Sequence, residues 1–269
     1  MTIEAEDFGA EIDLGVPLKE PRVIRYPAAT LDQVLDITPV PCLRHRVTLE
    51  AIARLSRGAV PVVGNIIGPT SLLTSLMEPS DVYRAMAKDG AKVAKAFEHL
   101  TRHIIRFAEA QLAAGAEVIV LADPGSSGEI IGGEHFGRLV VPAIDMIVRA
   151  IKAHGTPVVL HICGNIMALV RELAAIPWDA LSVDSVVSLQ KLKAHFPERA
   201  LIGNVSIHLL AVSGDDTVYR AARQAVEVAA ILAPACGLPT TTLPENIRCM
   251  VRAAGDAAQR LVVRPGTDG

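Results

Sequence analysis

Residues 156–165 read TPVVLHICGN, a short apolar run that ends in His161 and Cys163. Side chains two positions apart on an extended strand leave by the same face, so an imidazole nitrogen and a thiolate sulfur at this spacing can share one metal ion. Cys236, in ILAPACGLP, stands at the corresponding place after the last apolar run. Donors of this N and S type suit zinc, and three protein ligands with a fourth position open make a catalytic rather than a closed structural centre. Taken alone, the His-x-Cys pair also fits a packed cysteine beside a hydrogen-bonded histidine. The distant Cys236 shifts the balance towards metal, because two separate strand ends then supply matching donors. Cys42, in an early loop, and Cys249, inside a last helix, read as packing.

These residues need a scaffold that brings strand ends to one side. From residue 58 onward, β-branched runs alternate with helical stretches. Strands are expected at 61–67, 117–122, 157–162, 181–184, 200–205 and 228–233. Each run is continuously apolar, which suits parallel strands covered on their outer face. Phe97, Leu100, Ile104, Phe107, Ala108 and Leu112 recur at spacings of three and four and predict a helix that stops before Gly115. Further helices are expected at 136–154 and 217–226. Thr242 and Glu245, in capping-box spacing around Pro244, predict the start of a last one.

Repeated βα units without a dinucleotide glycine fingerprint favour an α/β fold of the (β/α)8 TIM-barrel type over an open doubly wound sheet. In such a barrel, function sits where strands end, and the polar residues there are Asn65, Asp123, His161, Cys163, Asp184, Asn204 and Cys236. Only six strands are legible where a barrel has eight. The expectation is therefore one barrel domain over 1–269, with 1–57 a remnant N-terminal region, 58–255 the βα core, and the first strand or two lacking. Unpaired strand edges predict self-association, for instance a homo-oligomer.

The 269 residues are 51% hydrophobic and 20% charged with a net charge of −3, the profile of a soluble globular protein. Lys and Arg are scattered, so neither a nucleic-acid stripe nor a polybasic membrane patch is present. Four well-separated cysteines and an acidic N-terminal stretch without an apolar run point to a reducing, cytoplasmic home. No uninterrupted apolar stretch approaches the ~18 residues of a membrane helix.

The segments LHICGN, LSVDS, LIGNVS and ILAPACGLPTTTLPENIRCMVRAA resemble the zinc-dependent methylcobamide:coenzyme M methyltransferases of the uroporphyrinogen decarboxylase superfamily. The resemblance implies zinc held by His161, Cys163 and Cys236. It also implies a methyl group taken from a corrinoid on a small partner protein and delivered to a thiol acceptor. In that frame Asp123, Asp184 and Asn204 are candidate catalytic residues, supporting His161 or contacting substrate, although loop capping explains each equally well. Asn65 is the candidate for cofactor binding. Glu4 and Glu6 match strand-end acids of the family, where one of them would be an exchangeable fourth ligand. The superfamily's decarboxylase activity fits less well, since residues 1–20 hold no arginine to grip substrate carboxylates. A non-catalytic relic that binds zinc or a corrinoid protein is the remaining reading.

Overall fold

The computed structural model describes residues 2–16 and 19–262. They form two compact units, divided between Ala180 and Leu181. The first unit opens with α1 (Ile3–Asp7), a hairpin of β1 (Glu11–Asp13) and β2 (Arg22–Arg25), α2 (Leu31–Asp36) and α3 (Leu43–Leu55). Then come β3 (Val63–Ile67), α4 (Pro69–Leu76), α5 (Pro79–Lys88), α6 (Gly90–Ala113) and β4 (Val118–Ala122). It continues with α7 (Gly128–His135), α8 (Val141–Lys152), β5 (Val158–Ile162) and α9 (Val170–Leu173). β6 (Ala180–Val183) begins on the last residue of this unit. The second unit adds α10 (Leu189–His195), β7 (Ala200–Val205), α11 (Ile207–Val212), α12 (Asp215–Val226), β8 (Ile231–Pro234) and α13 (Pro244–Val262).

In the first unit β3, β4 and β5 pair in parallel, with Ile67 opposite Ala122 and Ala122 opposite His161. In the second, β7 and β8 also pair in parallel. All six expected strands form, shifted by at most three residues. The largest shift is at β8, where Ala229 N–H still bonds Ala225 O in helical fashion and delays the strand to Ile231. The amphipathic stripe read around Phe97 is the buried face of α6, which packs on α4, α8 and β3.

Three expectations change. Glu4 and Glu6 lie on α1, a short helix, not at a strand end. The last helix begins at Pro244, but the Thr242 hydroxyl has no hydrogen-bond partner among the described residues, so the expected capping box does not form. A Thr placed one residue before the position that precedes the first turn cannot reach its free N–H groups. The edge of β3 is also better protected than six strands suggest. Val62 O and Gly68 N–H face β4, so Asn65 and Ile67 present their backbone groups to the other side. There the Gln111 amide accepts from Asn65 N–H (3.0 Å) and donates to Asn65 O (3.0 Å), and Glu4 Oε1 accepts from Ile67 N–H (2.8 Å). Side chains from α6 and α1 do the pairing that a neighbouring strand would do, and the cost of bare edge groups is avoided at these positions.

Glu4 is only 3% exposed. Burial pushes its carboxyl above the usual range, with the Ile67 N–H pulling against that rise. A carboxyl whose pKa is higher folded than unfolded contributes stability that is full at low pH and is lost as pH rises through the folded value. Glu4→Gln keeps an acceptor for Ile67 and removes the charge. The variant is expected to gain on the parent as pH is raised through the usual carboxyl range and above it, read by urea unfolding at each pH. A stability difference that does not change with pH would mean that Glu4 carries no such burden.

Asp7 ties this region to α6. Its Oδ2 accepts from His45 Nδ1 (2.9 Å) and His103 Nε2 (2.8 Å), and its Oδ1 accepts from Cys42 N–H (2.7 Å). Burial opposes the Asp7 charge, yet the bonds from His103, Cys42 and His45 outweigh it and hold the carboxyl below its usual range.

Candidate functional site

β5 shows why His161 is available. Val158, Leu160 and Ile162 are fully buried on one face, while Val159 and His161 share the other and stay half-buried. The period of two aims the imidazole away from the helix-packed side. Cys163, the first residue beyond the strand, keeps that direction, and His161 Nε2 lies 3.2 Å from its sulfur. Gly164 then turns the chain with φ +73°, and a Cβ there would meet Ser127 Oγ at 2.8 Å. Only glycine takes this turn without strain. An imidazole nitrogen and a sulfur side by side on a partly open strand end form a two-donor grip suited to zinc.

Asp123 follows β4 and is fully buried. Its Oδ1 accepts from Ser71 N–H (2.7 Å), and its Oδ2 accepts from the Ser126 hydroxyl (2.7 Å) and Thr70 N–H (3.4 Å). Ser71 and Thr70 are in the first turn of α4, so the carboxylate caps that helix and faces its positive end. Burial nonetheless raises its pKa, against the bonds from Ser126, Ser71 and Thr70. Gly68 makes this approach possible, since a Cβ there would come within 2.3 Å of Asp123 Cβ. The Asp123 backbone N–H bonds His161 O (2.9 Å), which anchors β5 beside β4. The geometry favours the capping account of Asp123.

Asn65 is the third of five residues in β3, not its end, and pairs with Val120, which pairs with Val159. It therefore sits two paired rows below the Ile67, Ala122, His161 row, with its side chain exposed. At the upper end of this unit a cleft of about 350 Å³ is lined by Thr2, Tyr26, Ile67, Ser71, Thr74 and Gly125. The sequence reading missed it, because the hairpin and α1 that contribute Tyr26 and Thr2 carry no periodic signal.

In the second unit, Asp184 follows β6 and its Oδ1 accepts from Val186 N–H (3.3 Å). Asn204 Nδ2 donates to Asp184 O (2.9 Å) and Val187 O (2.8 Å), clamping the loop after β6 to β7. Both amide protons are spent on that clamp, so what Asn204 can offer a ligand is its Oδ1. It lines a cavity of about 290 Å³ with Ser185, Ser188, Gln190, Ser206 and Gln224. Cys236 follows β8 by two residues and is half-buried. Cys249 is buried in α13 with its thiol donating to Asp215 O (3.2 Å), as the packing account expects.

The parallel βα units define an α/β protein of the TIM-barrel class, with a His-x-Cys donor pair at one strand's carboxyl end. Residues 1–257 match the family model described as uroporphyrinogen decarboxylase (URO-D), and the chain belongs to that family. It is 28% identical over 262 residues to the methylcobamide:CoM methyltransferase MtbA of Methanosarcina acetivorans, covering 94% of this chain and 77% of that protein. It is 29% identical over 265 residues to the methylcobamide:CoM methyltransferase MtaA of Methanosarcina barkeri, covering 94% and 76%. Among solved structures, a methyltransferase from Methanosarcina mazei superposes with a TM-score of 0.84 at 27% identity, over 96% of this chain and 78% of that one. Among the described residues no helix is long and apolar enough to cross a membrane.

Proposed function

We propose that this chain is a zinc-dependent methyltransferase that moves a methyl group from a methylated corrinoid, carried by a partner protein, to a small thiol such as coenzyme M. The observation that carries the reading is the His161–Cys163 pair, with imidazole nitrogen and sulfur 3.2 Å apart at the carboxyl end of β5. Similarity over 94% of the chain to methylcobamide:CoM methyltransferases supports the donor and the acceptor class.

In this reading His161, Cys163 and Cys236 would hold zinc, which would leave room for an acceptor thiol. Zinc bound there supplies the positive charge that turns a thiol of ordinary pKa ~8.5 into a thiolate at neutral pH. In such a transfer the thiol proton would leave to solvent, the sulfur would take the methyl, and the electron pair of the broken cobalt–carbon bond would stay with the donor. The chain's own task is alignment rather than proton shuttling, since bringing donor and acceptor together in line accounts for a large share of the barrier. Gly164 and the Asp123 backbone bond fix the strand end that presents the ligands. Thr2, Tyr26, Ser71 and Thr74 line a cleft that would receive the acceptor's polar end. Asn204 lines the cavity of the second unit, and the Asp184 carbonyl helps hold its side chain in place.

Methylcobalamin serves as the test donor. Loss of its cobalt–methyl absorbance is expected to require both zinc and a thiol when coenzyme M and homocysteine are offered. A folded, zinc-loaded chain that demethylates neither methylcobalamin nor a methylated corrinoid protein with any thiol leaves the reading without support and favours a non-catalytic binder.

A further inference from the structure

A second cluster of metal-ligating groups lies in the first unit and takes no part in the site above. Asp7 on α1, His45 on α3 and His103 on α6 are each under a tenth exposed. Their ligand atoms all lie within 4.8 Å of one another. We propose that Asp7, His45 and His103 form a buried structural metal site for a zinc-like divalent cation, pinning α1 and α3 to α6.

The arrangement has the features of a ligand set. Both imidazoles aim one ring nitrogen at the same carboxylate oxygen, at 2.9 and 2.8 Å. A tetrahedral zinc with bonds of ~2.0–2.1 Å spaces its donors by roughly 3.3 Å, so these contacts need open by only about half an ångström. Neutral imidazole can turn a lone pair to the ion by changing tautomer, so no proton has to leave either ring. The ligands are held from behind. Cys42 N–H fixes the other Asp7 oxygen at 2.7 Å, Phe8 packs edge-on against His103 at 5.2 Å, and Phe107 covers His45 at 4.1 Å. Oriented supporting contacts of this kind are what a metal site requires of its surroundings. Two nitrogens and one carboxylate favour zinc over magnesium or calcium, which prefer oxygen throughout. Each ligand is under a tenth exposed, so the fourth position, unlike that of the cysteine-bearing site, is closed to a substrate and the role is structural. The three residues lie 38 and 96 positions apart along the chain, measured from Asp7, so one ion would close two long loops.

The test separates this site from the cysteine-bearing one. The full-length chain carrying His161→Ala, Cys163→Ala and Cys236→Ala together is loaded with zinc, dialysed and measured for metal content. It is expected to retain about one zinc per chain, to melt higher with zinc than without, and to show X-ray absorption from nitrogen and oxygen neighbours with imidazole scattering. His103→Gln added to that background is expected to release the metal. A folded triple variant that holds no zinc overturns the proposal and leaves the cluster a metal-free hydrogen-bond network. Bound zinc without imidazole scattering, or zinc retained in full by a folded His103→Gln form, overturns it as well. Should His103→Gln fail to fold, the absorption spectrum of the intact cluster decides.

Discussion

Cys163→Ala is expected to lose retained zinc at the cysteine-bearing site and to lower kcat/KM for methylcobalamin demethylation by more than ~100-fold, with the chain still folded. The magnitude follows from comparison. Removing a residue that merely supports a metal ligand costs ~10–100-fold in affinity or activity, and removing a ligand itself should exceed that. The fold should tolerate the change, because Cys163 lies beyond β5 and is only half-buried. Cys249→Ala is the control, since its thiol is buried against Asp215 O in α13 and should cost stability without touching zinc. Metal analysis and steady-state kinetics on the two purified variants check the pair. Undiminished turnover in a zinc-free Cys163→Ala chain would remove the metal from the proposed reaction.

Asp123→Ala should behave in the opposite way, losing stability rather than chemistry. The substitution strips the acceptor from Ser71 N–H, Thr70 N–H and the Ser126 hydroxyl at once. A lost helix cap costs ~1 kcal/mol, and a buried donor left without a partner costs ~1–3 kcal/mol. A destabilisation of about 3 kcal/mol is therefore expected in urea or thermal unfolding. Zinc content and turnover per folded molecule should stay within a few-fold of the parent under conditions where the variant is folded. A loss above ~100-fold in a fully folded Asp123→Ala protein would instead place the carboxylate at the reacting groups.

The long-range protection of the β3 edge bears on the same balance. Continuous apolar runs announce buried parallel strands because each strand is covered on its outer face, and that signal is local. All six strands, the long stripe of α6 and the His161–Cys163 spacing were legible for this reason: each depends on residues within one turn or one strand. Side-chain direction at i and i+2 follows from backbone geometry alone, so the N,S pair needed no tertiary information. Asn65 was misplaced by two residues because where a strand ends is set by its partners, which a local pattern does not contain.

The rest was decided by contacts between residues distant in sequence. Gln111 and Glu4 close the β3 edge from α6 and α1, 46 and 63 residues away from the groups they bond. Asp123 is a cap only because the first turn of α4 lies beside it, with Ser71 52 residues upstream, and Gly68 leaves room for the carboxylate. The same holds for Asp7, His45 and His103, single residues on three helices whose spacing carries no periodic signature. An imidazole or a carboxylate can serve as ligand, cap or hydrogen-bond partner with the same side chain. The sequence by itself determined which chemistry these residues are capable of, while the tertiary structure decided which of them meet, because burial drives most polar groups to find a partner wherever the fold brings one within reach.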